Sequence, residues 1–306
     1  MTLNKREDFP FVSIVICTFN RKKFLEKCLE SIFAIEYPKS QYEVIVVDGG
    51  STDGTKELCK KFSNMRFVVE DRYGLAAARN KGAELSQGSI VAYTDDDCIV
   101  DKQWLRNLVA GFQLFRHVIG VGGPVYPLRP EVIPPKIYVK AALGLFDEGE
   151  KIKFVRGIIT SNSAFKREIF SKVQFDEKLG TTRRGKLILS GEDVDFCQNL
   201  IKLGYNLLYT PYAKVYHQIP KDRLKVPYII KRALHSGIST AKSFSKVRDS
   251  RIYMIRLAVS SLIQRIFTTI LDRSFTSCYK LLESVSALVV CLTYLDKILL
   301  LLYYNK

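Results

Sequence analysis

The chain has 306 residues, of which 47% are hydrophobic, so it can bury a substantial core in one large domain or two modest ones. Its seven cysteines are scattered and form no CxxC pair, which excludes a disulfide scaffold or a cysteine-rich zinc site and favours a reducing compartment. The net charge of +16 suits a surface that contacts phosphates, either of nucleic acid or of anionic lipid headgroups.

Strand and helix patterns alternate through the first hundred residues, after a polar start that predicts no secretory signal. Strands are predicted at 11–19, 42–47, 66–71 and 89–94, and the first and fourth are expected to be buried. Helices are predicted between them, at about 20–34, 55–62 and 75–85. This order predicts a parallel, doubly wound α/β sheet with right-handed crossovers, and such sheets bind ligands at the carboxyl ends of their strands. The polar loops that follow those ends are 18–21, 48–54, 71–74 and 95–98.

Three consecutive aspartates, Asp95, Asp96 and Asp97, follow the fourth predicted strand. Two carboxylates about 4 Å apart repel by roughly 4 kcal/mol at an effective dielectric constant near 20. If the strand alternation continues, Asp95 and Asp97 project together and Asp96 points away. Such a pair at a strand end suits a hard cation, whose other positions are left to water or phosphate. A solvated acidic turn is the alternative.

Five stretches then occur in order between residues 10 and 217: SIVICTFNR, VIVVDGGSTDGT, GLAAARNKG, YTDDDCIVDKQWL and SGEDVDF. In this order and spacing the chain resembles family-2 glycosyltransferases with the GT-A fold. The resemblance implies a mostly parallel doubly wound sheet with helices on both faces. It also implies inverting transfer of a sugar from a nucleotide-diphosphate sugar to an acceptor hydroxyl, with help from Mg²⁺ or Mn²⁺.

The resemblance assigns the donor site to polar residues at the ligand edge. Thr18 is expected against the base and Asp48 beside the nucleoside. Gly49 stands where the family commonly has a second, base-binding acid, so the identity of the nucleotide stays open. Asn162 matches a position that contacts the sugar or the acceptor, with a turn-forming role as the alternative. The nucleotide-sugar-binding residues implied are Thr18, Asn20, Arg21, Asp48, Gly50, Arg79, Asn80, Asp95, Asp96, Asn162, Arg183 and Arg184.

Arg183 and Arg184 lie in a basic, glycine-bounded loop that is expected to close over the diphosphate, with a solvated loop as the alternative. Asp53, in the turn after the second strand, is as well explained by helix capping.

The same resemblance supplies metal ligands and a general base. Asp95, Asp97 and His217 are the metal ligands it implies, with a structural histidine as the alternative for His217. A divalent cation on both phosphates would stabilise the charge that develops on the leaving group. Asp193 matches the base that takes the proton of the acceptor hydroxyl, and Glu192 is expected to orient the acceptor or the base. The alternative is that both acids complement a helix dipole.

The pattern changes near residue 220, so the predicted catalytic domain covers 1–220, with a nucleotide-binding half at about 10–100 and an acceptor half at about 101–220. The remaining region, 221–306, is basic and then apolar, with helices predicted at 252–271 and 281–304. The longest uncharged run there, 284–295, has 12 residues, and a span needs about 20. We therefore expect helices that lie on or dip into a membrane, with a soluble helical subdomain packed on the catalytic core as the alternative.

The expected partners are the nucleotide-diphosphate sugar, a glycan or polyprenyl-linked lipid acceptor, and an anionic membrane surface at the cytoplasmic face of the cell membrane. Nucleic acid is not expected, since no stacking platform or reader motif accompanies the charge. A sugar nucleotidyltransferase is one alternative function, but CTFNRKKF lacks the glycine-rich triphosphate loop that it needs. A non-catalytic, membrane-bound scaffold that binds sugar nucleotides is another, and the complete DDD and GED stretches argue against it. The donor, acceptor and linkage stay open.

Overall fold

The computed structural model describes residues 9–72, 74–133, 140, 143–179 and 191–225, together with the isolated positions 227, 228, 232, 277, 280, 281 and 285. The chain divides into two compact units. The first comprises Met1–Leu128, Gly144–Lys178 and Glu192–Gln218. The second comprises Arg129–Leu143, Leu179–Gly191 and Ile219–Lys306. The predicted tail helices at 252–271 and 281–304 fall outside the described residues, apart from the isolated positions.

The first unit contains every strand and α-helix that the structure bounds. The strands are β1 (Val12–Thr18), β2 (Tyr42–Asp48), β3 (Met65–Val69), β4 (Ile90–Asp95), β5 (Cys98–Val100), β6 (Val118–Gly122), β7 (Val125–Pro127), β8 (Lys153–Val155), β9 (Asn162–Lys166), β10 (Asn206–Tyr209) and β11 (Val215–His217). The helices are α1 (Lys22–Phe33), α2 (Thr55–Cys59), α3 (Leu75–Leu85), α4 (Trp104–Leu114) and α5 (Glu192–Lys202).

Eight strands form one sheet in the order β3-β2-β1-β4-β9-β6-β10-β8. β1 pairs in parallel with β2 and β4, and every one of its seven residues is buried, as expected of a strand that is covered on both faces. In this register Thr18 lies beside Asp48, and Cys17 lies beside Asp95. The predicted α/β sheet is thus confirmed, and the polar residues that end these three strands meet at one edge.

Helix α3 approaches the sheet closely enough to require a glycine. A Cβ on Gly82 would lie 2.2 Å from Cγ1 of Val15 in the centre of β1. Helix α1 buries one stripe of its surface, formed by Leu25, Cys28, Leu29 and Ile32. These contacts set the positions of the first residues of both helices, which face the ligand edge.

A second, three-stranded sheet has the order β5-β11-β7. It pairs His217 with Cys98, the residue that follows the three aspartates, and the backbone N–H of Gln218 donates to the carbonyl oxygen of Asp97 at 2.7 Å. His217 is therefore the last residue of strand β11. Residues 122–136 are rich in proline and glycine, and they nevertheless contain the three-residue strand β7.

Among the residues that the structure describes, no helix has the length and apolar character needed to cross a membrane.

Candidate active site

The three aspartates occupy two different environments. β4 ends at Asp95, and Asp96 and Asp97 form the turn that leads into β5. The strand alternation therefore stops at Asp95, so the expectation that it aligns Asp95 with Asp97 is wrong. The Asp96 and Asp97 side chains are nearly buried, whereas that of Asp95 is 35% exposed.

Arg21 bridges the two buried carboxylates with one positive charge. Its Nη1 donates to Oδ1 of Asp96 at 2.8 Å, and its Nη2 donates to Oδ2 of Asp97 at 2.6 Å. The guanidinium carbon also lies 4.9 Å from the centre of the Phe24 ring. A planar guanidinium can bridge two carboxylates in this way because its donors form a fixed fork. The repulsion that makes three consecutive aspartates costly is thus offset within the protein.

Thr18 completes the environment of Asp96. Its hydroxyl donates to Oδ2 of Asp96 at 2.8 Å, and both side chains are buried. Burial raises the pKa of Asp96 to about 7, against the opposing effect of the Arg21 charge and together with the effect of neighbouring Asp97. The hydrogen bond between Thr18 and Asp96 therefore joins the end of β1 to the residue that follows β4, at the sheet edge where a ligand is expected.

Asp97 and His217 form the pair that best fits a divalent cation. Nε2 of His217 lies 2.9 Å from Oδ2 of Asp97, and both side chains are about 95% buried. Imidazole nitrogen and carboxylate oxygen are both ligands that Mn²⁺ accepts, and a cation held by two protein groups keeps positions for phosphate oxygens. In the described part of the chain, no group of three or more His, Cys, Asp or Glu side chains is placed to hold a metal ion. Asp97 and His217 are the residues that could hold one together with phosphate oxygens.

A second arginine organises the acids on the other side of the edge. Nη1 of Arg79 donates to Oε1 of Glu192 at 2.7 Å, and Nη2 donates to Oδ1 of Asp95 at 3.2 Å. The Arg79 side chain is only 3% exposed. Its backbone oxygen accepts a hydrogen bond from the hydroxyl of buried Tyr93 at 3.1 Å. Arg79 thus connects the end of β4 with the start of α5.

The start of α5 presents the predicted general base. The backbone N–H of Val194 donates to Oδ1 of Asp193 at 2.8 Å. Desolvation and the charge of Glu192 raise the pKa of Asp193 to about 6, while Arg79 and the hydrogen bond from Val194 act in the opposite direction. A carboxylate whose pKa lies near neutrality is well suited to accept a proton in a transition state.

Glu192 has one oxygen in use and one without a hydrogen-bond partner. Oε1 pairs with Arg79, whereas Oε2 is buried and accepts no hydrogen bond from the described residues. A buried carboxylate oxygen without a donor costs free energy of about 1 to 3 kcal/mol or more. Such an atom beside a candidate base marks a place where a substrate hydroxyl would supply the missing donor.

Asp48 and Asn20 shape the neighbouring loops through their own hydrogen bonds. Oδ2 of Asp48 accepts from the backbone N–H groups of Gly50 and Ser51, at 3.1 and 2.8 Å. Asn20 adopts a φ of +53°, and its Oδ1 accepts from the N–H of Thr52 at 2.8 Å. The positive φ of Gly50, +83°, suits the same turn. These residues therefore build the rim of the site.

Asp53 caps a helix, as expected, but the helix is α1 as well as α2. Its Oδ2 accepts from the N–H of Lys22 at 2.9 Å, and its Oδ1 accepts from the N–H of Thr55 at 3.2 Å. One carboxylate thus accepts a hydrogen bond from the first backbone N–H of each of the two helices that begin at this edge.

Two residues that the resemblance places in the donor or sugar site, Asn162 and Asn80, use their side-chain amides in hydrogen bonds within the protein. Asn162 is completely buried: its Oδ1 accepts from Trp104 at 2.8 Å, and its Nδ2 donates to the carbonyl oxygens of Pro124 and Ala213. The expected contact between Asn162 and a substrate is therefore not supported by its position.

Asn80 is engaged in a similar way. Its amide exchanges two hydrogen bonds, both of 2.9 Å, with the backbone of Phe175. Arg183 and Arg184 lie outside the described residues.

Phe19 was not among the predicted site residues, although it stands between two of them. The side chain is 40% exposed, and its ring carbon Cδ2 lies 3.3 Å from the point where a Cβ on Gly49 would be. The sequence pattern includes Phe19 in the predicted strand 11–19, whereas β1 ends at Thr18, so only the structure reveals the exposed ring. The ring covers the place left free by the missing acid at position 49.

The chain is similar in sequence to known glycosyltransferases. A family model described as Glycosyl transferase family 2 matches residues 13–174. Glycosyltransferase AglE of Haloferax volcanii is 33% identical over 205 residues, which are 65% of this chain and 64% of that protein. A glucosyl-dolichyl phosphate glucuronosyltransferase of the same organism is 28% identical over 240 residues, which are 74% of this chain and 75% of that protein. The chain therefore spans slightly under two thirds of the length of the first relative.

Solved structures show the same fold at low sequence identity. The mannosyltransferase PcManGT of Pyrobaculum calidifontis, solved in complex with GDP-Man and Mn²⁺, superposes with a TM-score of 0.63 at 20% identity, covering 92% of this chain and 88% of that one. Residues 1–349 of TarS from S. aureus superpose with a TM-score of 0.55 at 14% identity, covering 94% and 92% of the two chains.

Proposed function

Because this chain belongs to glycosyl transferase family 2, we propose that it transfers a sugar from a nucleotide-diphosphate sugar to an acceptor hydroxyl, with inversion at the anomeric carbon. The family assignment and the fold confirm the resemblance carried by the five sequence stretches. The observation that carries the proposal is the position of Asp193. Its carboxylate stands at the first turn of α5, with a pKa raised to about 6, next to Glu192, which Arg79 joins to Asp95 at the end of β4.

The donor is proposed to lie along the carboxyl ends of β1, β2 and β4. Thr18 and Asp48 end two of these strands, and the exposed ring of Phe19 offers a face on which a nucleobase can stack. With glycine at position 49, no side chain there is available to select a base by hydrogen bonding. The donor nucleotide is therefore to be found by measurement.

Asp97 and His217 are the residues proposed to hold Mg²⁺ or Mn²⁺, with Arg21 beside them. When bound, such an ion would stabilise the negative charge that develops on the departing diphosphate. The mannosyltransferase of P. calidifontis was solved with Mn²⁺ and GDP-Man, which supports a divalent cation and a nucleotide-sugar for this chain as well. Arg21 donates hydrogen bonds to the carboxylates of Asp96 and Asp97, so it holds the Asp97 side chain in place.

Asp193 is proposed to take the proton of the acceptor hydroxyl as its oxygen attacks the anomeric carbon. The sugar–phosphate bond breaks, the electron pair leaves with the diphosphate, and the proton remains on the Asp193 carboxylate. One displacement of this kind inverts the anomeric carbon. A base acts only in the transition state, so its loss lowers kcat and kcat/KM together.

The acceptor is proposed to be a polyprenyl-linked lipid or a glycan at the cytoplasmic face of the membrane. The relative from H. volcanii is named as acting on glucosyl-dolichyl phosphate, which is a lipid-linked sugar. Residues 214–280 of this chain contain 14 lysines and arginines and three acids, a composition that attracts anionic headgroups. A membrane surface would thus bring the catalytic unit to an acceptor that resides there.

The test is nucleotide release from a panel of UDP-, GDP- and dTDP-sugars by the purified full-length chain. Each donor is supplied with Mn²⁺ or EDTA, and with phosphatidylglycerol vesicles that either contain or lack a glucosylated polyprenyl phosphate. We expect one nucleotide class to be released, dependent on Mn²⁺ and accelerated by the lipid acceptor.

Asp193→Asn is expected to bind the donor nucleotide normally and to lose at least about 100-fold in turnover, which is within the usual range for removal of a general base. Glu30→Gln, an exposed carboxylate-to-amide change on α1, is the matched control. If the wild-type chain releases no nucleotide from any donor, or if Asp193→Asn keeps its turnover, the proposed reaction or the proposed base is wrong.

A further inference from the structure

We infer that Arg79 is a positioning residue for the acceptor half of the reaction, which it serves by orienting the carboxylate of Glu192. This inference rests on the proposed function and departs from the donor-pocket role that the family resemblance implies for this arginine. Its basis is the set of contacts that occupy the guanidinium within the protein.

The guanidinium is enclosed and doubly anchored. Its side chain is 3% exposed, with one terminal nitrogen on Glu192 at 2.7 Å and the other on Asp95 at 3.2 Å. The Arg79 guanidinium carbon lies 5.8 Å from the centre of the Phe175 ring, close enough for a cation–π contact. A group that is held this way has little surface to offer to a nucleotide, so its effect on the reaction passes through the acids that it holds.

The neighbouring residue helps to fix the same unit. Asn80 exchanges two hydrogen bonds with the backbone of Phe175, and the Phe175 ring stacks on Phe196 of α5 with centroids 4.3 Å apart. Arg79 thus contacts Glu192, the first residue of α5, and Asn80 contacts Phe175, whose ring packs on α5. These two neighbours on α3 together fix the start of α5. Glu192 is held near Asp95 because the Arg79 guanidinium contacts both carboxylates.

Glu192 supplies the atom that makes this arrangement useful. Because Arg79 occupies Oε1, the second oxygen, Oε2, is left buried and without a hydrogen-bond partner among the described residues. A hydroxyl of the acceptor would satisfy it and would then lie beside Asp193, the adjacent residue.

Lysine cannot reproduce this geometry. It brings the same charge as arginine, but as a point charge on a flexible stem, so it cannot bridge two carboxylates in a fixed plane. A misplacement of about 1 Å near the reacting atoms lowers rates by roughly 100-fold. Arg79→Lys therefore keeps the positive charge at this position and removes the geometry that orients Glu192, so its effect on the rate reports positioning alone.

The experiment compares Arg79→Lys, Glu192→Gln and the double variant with the wild-type chain and with Arg116→Lys, an exposed arginine-to-lysine control beyond the end of α4. Donor affinity is measured by calorimetry with the nucleoside diphosphate and Mn²⁺, and active sites are counted from its stoichiometry. Transfer to the acceptor found in the panel above and donor hydrolysis by water are then measured per active site.

We expect Arg79→Lys to keep donor affinity within about threefold and to lose about 100-fold in transfer, with a smaller loss in hydrolysis. Glu192→Gln is expected to show the same decrease in the ratio of transfer to hydrolysis. The double variant is expected to be no worse than Arg79→Lys alone, because both substitutions interrupt one interaction. Normalisation to binding sites keeps the comparison valid if the lysine variant folds only in part.

Several outcomes would overturn the inference. Donor affinity that falls in Arg79→Lys while transfer per bound donor is unchanged would assign the arginine to the donor pocket. Losses that multiply in the double variant would show that Arg79 and Glu192 act independently. A wild-type chain without turnover would overturn the proposed function, and this inference with it. The other two outcomes leave wild-type turnover intact and would overturn only the role of Arg79.

Discussion

Replacing the proposed base, Asp193→Asn, is expected to inactivate the chain and at the same time to stabilise it. The pKa of Asp193 rises from 3.8 to about 6 in the fold, mainly because the carboxylate is desolvated and lies beside Glu192. A carboxyl group whose pKa is raised by folding destabilises the native state at every pH above that raised value. Asparagine keeps the shape and the oxygen that accepts from Val194, and it removes the charge.

The magnitude follows from the change in pKa. A difference of one pKa unit corresponds to about 1.4 kcal/mol, so the ionised carboxylate costs the fold at most about 3 kcal/mol. The favourable interaction of an acid with the helix N-terminus is worth only about 0.3 to 1 kcal/mol at an exposed site, so desolvation and repulsion outweigh it. We expect the asparagine variant to gain about 1 to 3 kcal/mol in the free energy of unfolding at pH 7.5.

The pH dependence gives the sharper test. Below pH 3.8 the carboxyl group is protonated in both states, so the two proteins are expected to be equally stable there. The advantage of the variant should grow between pH 3.8 and about 6 and then stay constant, and urea denaturation at pH 4, 5, 6 and 7.5 would measure it. In the wild-type chain, kcat/KM should fall about tenfold per pH unit below about 6. A variant that is equally or less stable at pH 7.5, with wild-type activity flat down to pH 5, would refute this reasoning.

Three further predictions concern the other side of the site and its support. Arg21→Gln leaves two buried carboxylates without their cation and is expected to lower the free energy of unfolding, measured with urea, by about 3 to 5 kcal/mol. Mn²⁺ should stabilise this variant more than it stabilises the wild-type chain. An equal gain in both proteins would argue against a cation site at Asp97. His217→Gln is expected to weaken Mn²⁺-dependent nucleotide binding about tenfold or more by calorimetry, whereas His117→Gln, at an exposed histidine, should not. Asn162→Ala removes the partner of the Trp104 indole N–H and of the Ala213 carbonyl oxygen, whereas the Pro124 carbonyl oxygen still accepts from the N–H of Val215. This variant is expected to cost about 2 to 4 kcal/mol. Donor affinity per folded molecule should be unchanged, and a selective loss of affinity would return Asn162 to the substrate site.

The sequence by itself determined the first four strands, the helices between them, and the sheet edge at which those strands end. The β1 segment is apolar and β-branched for most of its length, and such a run forms a strand that is buried on both faces wherever it is placed. Helix α3 was predicted at Leu75–Leu85, and it has those bounds. Because strands alternate with helices, β1 to β4 had to pair in parallel, and the carboxyl ends of β1, β2 and β4 had to meet; β8 and β9, which pair antiparallel with their neighbours, did not follow from that alternation. These features follow from local periodicity and from the handedness of crossovers, which need no knowledge of the packed structure.

Only the tertiary structure decided which charge pairs with which. Arg21 reaches Asp96 across 75 positions of the chain, and His217 reaches Asp97 across 120. The alternation argument paired Asp95 with Asp97, but the strand stops at Asp95, and Arg79 then joins that residue to Glu192 instead. The energies of ion pairs depend on separations of a few ångströms between groups that are remote in sequence, together with the burial of both partners. Neither quantity is set until the sheet and the helices have packed, so the acids were predictable from sequence and their partners were not.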